Sequence, residues 1–347
     1  MPQVSVLMPV YNGERHLVNA IRSILWQTWR DWELLIIDDG SQDGSLSCAC
    51  EFAARDKRLR VISLKHRGIV DALNEGLRLC SAPWIARMDS DDIAAPQRLE
   101  RQLLFLRTHP DISALGSRVR LFPRLNRSLG MKRYERWLNR SWRSEDLAKD
   151  IFVESPLVHP SVMFNRAEIL SAGAYRRCPW PEDYDLWMRL WQRRRPLAKV
   201  PEVLLYWRDS PQRLSRTDVR CAHASLRRLK LFYLLDTFFP ECRPQRQEPP
   251  HRPVWIWGAG SNGKDLLKDL RRLGLYPSAF VDNNPARQGQ RILDLPVIGT
   301  EQVVRRGNEF IIMAVSNPYV RQETRCSLET LGYTEGRDFV CLANMAK

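Results

Sequence analysis

The chain has 347 residues, of which 44% are hydrophobic and 27% charged, with a net charge of +14. That length suits two domains with real cores, and the composition is that of an ordinary globular protein. It excludes an intrinsically disordered chain, and no apolar run approaches the roughly 18 residues that a membrane span needs.

The start, Met1-Pro2-Gln3-Val4, lacks a basic region and reads as a first strand, not a signal peptide. Eight cysteines are scattered without CxxC or zinc-type spacing, which fits inert thiols in a reducing cytoplasm. The charge is uneven. Residues 253–347 carry a net +2, whereas residues 117–143 hold nine Lys/Arg and a single acid, Glu135. Such a field calls for an anionic partner: lipid, nucleic acid or a phosphorylated substrate.

In chain order, Val4 to Tyr11 reads as a buried strand, turned by Asn12-Gly13 into a helix whose apolar face is Leu17, Ala20, Ile21, Ile24 and Leu25. A strand over Trp32–Ile37 ends in Asp38-Asp39-Gly40-Ser41. A further helix, a strand over Leu59–Leu64 and a helix over Ile69–Leu79 follow. The next strand runs into Asp89-Ser90-Asp91-Asp92. Strands alternating with helices predict a mainly parallel sheet, whose ligands sit beyond the strands' carboxyl ends. The polar clusters at 11–13, 38–43 and 89–92 all fall there, so they are expected to form one pocket. Three carboxylates within four residues suit a hard divalent cation, Mn²⁺ or Mg²⁺. The alternative is that Asp91 or Asp92 caps the helix after Pro96.

These residues, together with His159-Pro160-Ser161-Val162-Met163-Phe164 and Glu182-Asp183-Tyr184-Asp185-Leu186-Trp187, resemble the family 2 glycosyltransferases of the GT-A fold over about residues 3–220. The resemblance implies transfer of a sugar from a nucleotide-diphosphate donor, UDP favoured, to a hydroxyl acceptor on a glycan or lipid carrier in surface glycan synthesis. By motif position, Asp39 accepts a base N–H, with Tyr11 against the base and Pro9 and Asp38 shaping the pocket. Asp91 ligates the metal, and Asp89 lies by the ribose or the ion. Asp183 is the general base of an inverting reaction, and Glu182 and His159 lie nearby. After the strand-like run Glu202–Trp207, Arg208 is a candidate diphosphate contact, with Tyr206 and Ser215 as neighbours. The processive Gln-x-x-Arg-Trp pattern is missing.

Residues Arg118 to Arg143 interleave basic and aromatic side chains, and Tyr134–Ile151 fits an amphipathic helix. The expectation is a peripheral contact of residues 117–143 with an anionic membrane surface, the protein otherwise being cytoplasmic; the alternative is a solvated basic face. No nucleic-acid module is recognisable, so no nucleic-acid partner is expected.

A Pro-rich stretch over 239–253 predicts a linker between a transferase domain at 1–238 and a small Rossmann-like α/β domain at 254–347. There Val254–Trp257 reads as a strand, Gly258-Ala259-Gly260-Ser261-Asn262-Gly263 opens a helix, and Ser278–Val281 ends at Asp282. Glycines at this spacing admit a pyrophosphate to a helix start, and the acid binds a ribose hydroxyl. Gly258, Gly260, Gly263 and Asp282 are therefore a candidate site for a nucleotide-type ligand. A structural or assembly role is equally open, and an NAD-dependent oxidoreductase acting through this domain is the rival function.

Overall fold

A computed structural model describes residues 1–123, 128–211, 213–242, 250–304 and 307–343. It divides into two compact units. One comprises residues 1–147 and 156–221; the other comprises 148–155 and 222–346.

In the first unit the elements run β1 (Val4–Val10), α1 (Glu14–Leu25), β2 (Trp32–Asp38), α2 (Ser45–Arg55), β3 (Leu59–Ser63), α3 (Ile69–Leu79) and β4 (Trp84–Arg87). Then come β5 (Ile93–Ala94), α4 (Arg98–Thr108), β6 (Ala114–Phe122), α5 (Leu129–Arg140), α6 (Ser144–Asp150), β7 (Met163–Asn165), α7 (Arg166–Ser171), α8 (Glu182–Gln192), β8 (Leu197–Arg208) and α9 (Leu214–Thr217). The sheet order is β3-β2-β1-β4-β7-β6-β8-β5. Strands β3, β2, β1 and β4 are mutually parallel, β7 runs antiparallel to β4 and β6, and β5 is antiparallel to β8. The sheet is thus mixed where the sequence predicted it mainly parallel.

Strands β1 and β2 are buried along their whole length, which is why their sequences are almost continuously apolar. The core joins them to Leu17, Ile21 and Ile24 of α1 and Leu99, Leu103 and Leu106 of α4. His159–Ser161 forms a 3₁₀ turn, and the strand after it covers Met163–Asn165. The expected helix over Tyr134–Ile151 is broken at Ser141, whose backbone is extended, into α5 and α6. The basic stretch also begins as strand β6, paired with β8. In α5 the apolar residues Met131, Tyr134, Trp137 and Leu138 pack against the core, leaving Lys132, Arg133, Arg136 and Arg140 exposed.

The second unit contains α10 (His223–Phe238), β9 (Val254–Trp257), α11 (Ser261–Arg272), β10 (Ala279–Val281), β11 (Arg291–Ile292), β12 (Leu295–Ile298), β13 (Phe310–Met313), α12 (Pro318–Thr330) and β14 (Phe339–Cys341). Its sheet order is β11-β12-β10-β9-β13-β14, parallel except for the short edge strand β11. Residues 148–155 join this unit through side chains: Arg325 pairs with Asp150 at 2.8 Å, and Lys230 donates to the Val153 carbonyl at 2.7 Å. Of the stretch expected as a linker, residues 243–249 lie outside the described residues, and Pro240–Cys242 forms a 3₁₀ turn with Glu241 and Cys242 buried. Among the described residues no helix is long and apolar enough to cross a membrane.

Candidate active site

The polar ends of β1, β2, β3 and β4 meet at one edge of the parallel half of the sheet. Val10 and Asp38 are register partners, and the Asp39 N–H donates to the Val10 carbonyl at 2.8 Å. Asn12 turns the chain with φ of 51°, and its side-chain oxygen accepts from the Gln42 N–H, tying the first two clusters together. Pro9 lies within β1 as a register partner of Ile37.

Asp39 is buried, and its carboxylate accepts from the backbone N–H groups of Arg67 and Gly68, each at 2.9 Å. His66 Nδ1 lies 2.8 Å from the same carboxylate, and the His66 ring stacks on Tyr11 with centroids 4.1 Å apart. Asp38 is buried as well. One of its oxygens accepts from the Ser41 N–H at 3.2 Å, and Oδ1 has no partner among the described residues. A flat aromatic platform therefore sits beside an acid-lined floor. Neither His66 nor its loop was singled out in the sequence, although a polar cluster after β3 obeys the same strand-end rule as the others.

At the end of β4, the carboxylate oxygens of Asp89, Asp91 and Asp92 lie within 4.8 Å of one another. Neither Asp91 nor Asp92 caps α4: Gln97 occupies that position, without a side-chain cap. Instead Asp92 is buried and accepts from the Arg208 N–H at 2.7 Å, while Oδ2 has no partner among the described residues. Arg208 Nε donates to the Asp91 carbonyl at 2.7 Å, and its guanidinium lies over the Phe122 ring. Burial, then the neighbouring Asp89 charge, raises the Asp91 carboxyl to about 6 against the opposing pull of Arg213 and Arg208. Burial followed by Asp89 and Asp91 raises Asp92 well above the usual carboxylate range. Arg87, Arg208 and Arg213 face these three acids, so burial more than charge excess sets the raised values. An all-oxygen donor set with one buried, unpartnered carboxylate oxygen fits a hard divalent cation.

Asp183 and Glu182 open α8, where backbone N–H groups are free of intrahelical partners. Burial, then the Glu182 charge, raises Asp183 to about 7, with Arg87 pulling the other way. Glu182 is raised by burial and pairs with Arg220 at 3.3 Å. Asp185, by contrast, is buried and structural: it pairs with Arg189 at 2.8 Å and accepts from Trp180 Nε1 at 3.0 Å. That separates the three acids by environment. His159 is buried 2.8 Å from the Tyr175 hydroxyl and edge-on to Trp187. Burial, then Arg87, lowers its pKa well below the ordinary histidine value, so at neutral pH it is an uncharged hydrogen-bonding group.

Arg87 connects the two halves. Its buried guanidinium hydrogen-bonds to Asp89, and the same charge acts on Glu182, Asp183, Tyr175 and His159. The cluster at β4 and the acids of α8 therefore share one locale. Arg87, Tyr175, Arg213 and Arg220 were not singled out as site residues. For Arg87 the signal was present: a charge between the apolar Trp84-Ile85-Ala86 and Met88, at a strand's end, needs a partner. Tyr206 is exposed on β8, and the side chain of Ser215 lies outside the described residues.

In the second unit Asp282 follows β10 and is buried. It accepts from the N–H groups of Ala259 at 2.7 Å and Asn284 at 2.9 Å, and from Arg287 at 3.0 Å. Burial pushes its pKa up, and these donors together outweigh that effect and hold it below the usual value. Gly258, Gly260, Gly263 and Asp282 line a common cleft.

The sequence model of glycosyl transferase family 2 matches residues 5–171. An uncharacterized glycosyltransferase of Haemophilus influenzae is 33% identical over 216 residues, covering 60% of this chain and 65% of that protein. The amylovoran biosynthesis glycosyltransferase AmsE of Erwinia amylovora is 31% identical over 204 residues, covering 58% of this chain and 74% of that protein. Among solved structures, S. aureus TarS 1–349 in complex with UDP-GlcNAc superposes with a TM-score of 0.54 at 17% identity. That match covers 68% of this chain and 67% of that one, and it shows a common fold. The chain belongs to glycosyl transferase family 2.

Proposed function

We propose that the chain transfers a sugar, with inversion at the anomeric carbon, from a nucleotide-diphosphate donor to a hydroxyl of a surface glycan or lipid-linked acceptor. The observation that carries this reading is the cluster of Asp89, Asp91 and Asp92 at the end of β4, its oxygens within 4.8 Å of one another and Asp89 bonded to the buried Arg87. The donor nucleobase lies against Tyr11 and His66 over Asp38 and Asp39, and Arg208 holds the diphosphate end. Asp91, with Asp89 and the buried Asp92, holds Mn²⁺ or Mg²⁺. Such a cation, when bound, neutralises charge on the departing diphosphate.

Asp183 accepts the proton of the acceptor hydroxyl as its oxygen bonds to the anomeric carbon. The bond from that carbon to the donor phosphate breaks from the opposite face, and its electron pair leaves with the nucleoside diphosphate. Glu182, held by Arg220, keeps negative charge beside Asp183 and so strengthens it as a base. UDP-sugars are the first donors to try, and a surface-glycan acceptor accords with the Erwinia relative's name.

Purified chain given UDP-, GDP- and dTDP-sugars with Mn²⁺ is expected to release nucleoside diphosphate; silence with every donor and acceptor, or reduction of NAD instead, overturns the reading. Peripheral membrane contact, if made through residues 117–143, is electrostatic, because the apolar side of α5 already packs on the core. Flotation with anionic liposomes at low salt, lost at high salt, is its test.

A further inference from the structure

The second unit has a cleft of about 280 Å³, lined by Gly258, Gly260, Ser261, Asp282, Arg287 and Ser316 among others. It opens beyond the carboxyl ends of β9, β10 and β13. Strand β9 stands between β10, its successor in the chain, and β13, reached only after the chain has crossed back. Such a reversal of strand order is where open parallel sheets leave a crevice for ligands.

The three glycines have different physical reasons. Gly258 has φ of 106°, a conformation that side chains rarely adopt. A Cβ on Gly263 would overlap the Gly258 carbonyl oxygen, so close approach of α11 to its strand excludes one. Neither reason applies to Gly260. Its φ of −75° suits any residue, and a Cβ there would meet only the tip of Arg287, at 3.8 Å. What a side chain at Gly260 would take is open space in the cleft, at the start of α11.

Arg287 is the cation of that space. It reaches Asp282 at 3.0 Å while its side chain remains 42% exposed. Asp282 already takes two backbone N–H bonds, so losing Arg287 leaves it hydrogen-bonded. The cation can therefore turn toward a bound anion without abandoning a bare buried charge. The opposite rim, Val315 and Ser316, lies over Arg321, a buried arginine that donates to both their carbonyls at 3.3 and 3.4 Å.

We infer that this cleft binds a phosphorylated ligand of single-nucleotide size, with its phosphate between Gly260 and Arg287. A mononucleotide suits the space better than a dinucleotide, because the volume of about 280 Å³ falls just below the roughly 300–1,000 Å³ usual for ligand pockets. Arg287 exchanges its bond to Asp282 for the phosphate, and Asp282 then faces the ligand's hydroxyls.

The test is calorimetric titration of the full chain with inorganic phosphate, UMP, UDP, ADP, GDP and NAD, in chelator, for the wild type, Gly260→Val, Arg287→Ala and Asp91→Ala. The expected result is binding of a mononucleotide that weakens about ten- to a hundredfold in Gly260→Val and Arg287→Ala and persists in Asp91→Ala. Unchanged circular dichroism and melting temperature of Gly260→Val exclude misfolding as the cause. Three results overturn the inference. They are no Gly260-sensitive binding of any probe, binding lost only in Asp91→Ala, or NAD bound there as tightly as a mononucleotide. Because the first unit supplies none of these residues, failure here leaves the sugar-transfer reading standing, and the reverse also holds.

Discussion

Both units end central strands in carboxylates that include a buried one, Asp92 or Asp282, and they treat that charge in opposite ways. Behind β10, Asp282 has two backbone N–H donors and an arginine, and its pKa is held down. Behind β4, three carboxylates crowd together with fewer donors than they need, and the pKa values of Asp91 and Asp92 are pushed up. The first arrangement is complete as it stands. The second leaves a buried carboxylate oxygen, Asp92 Oδ2, without a partner among the described residues, and it is this gap that the proposed cation would fill.

The largest effect should come from removing a carboxylate from the cluster behind β4. Asp91→Ala should lower transfer by about 10²–10³-fold or more, measured as nucleoside diphosphate released with Mn²⁺ present. Retained activity would mean the crowding serves the fold.

Next, Asp183→Asn should keep donor binding and lose about 10²–10⁴ of kcat. In the wild type the base must shed its proton, so kcat should climb with pH and level off above about 7. Glu182, Arg87, Arg220 and Tyr175 surround this titration, so Glu182→Gln should shift the profile to lower pH. Stability gives a second readout. Below the unfolded carboxyl's pKa both states are protonated and Asn changes little. Above about 7 the folded wild type carries a charge that its surroundings disfavour, so Asn should raise the melting temperature there.

Arg87→Met probes the link between the two halves. It leaves Asp89 without its buried partner and should destabilise the first unit by about 3 kcal/mol, read by chemical denaturation. Smaller again is the contrast between two glycines. Gly263→Ala should destabilise the second unit by about 1–3 kcal/mol through overpacking, whereas Gly260→Ala should be silent in the same denaturation assay. Smallest of all, His66→Ala should raise the donor KM by about threefold to tenfold through lost stacking without changing kcat.

Much of the fold was legible because strands buried on both faces are written as apolar runs. Strand β9 and helix α3 occupy the ranges expected of them. Strand β6 was hidden by its arginines: Val119 and Leu121 are buried while Arg120 is exposed, a period of two that a count of charge overlooks. The site's acids were legible as clusters after strands. Its cations were less so. Arg208 followed a strand-like run and Arg87 interrupted an apolar one, but Arg213 and Arg220 act on Asp91 and Glu182, distant in the chain, and no local pattern marks which of so many arginines will do so. Residue type does not separate Asp183 from Asp185: motif position singles out Asp183, and the Arg189 and Trp180 contacts of Asp185 set the two apart by environment.

The Asp39 carboxylate also anchors the loop after β3 through two amide protons and His66. Replacing it with alanine therefore removes a tether as well as an acceptor, and Tyr11 loses the neighbour that braces it. A failed Asp39 variant would report a displaced surface, not the energy of one bond to a nucleobase. The direct way to weigh that bond is to vary the donor, offering bases that lack the matching N–H to the unaltered protein.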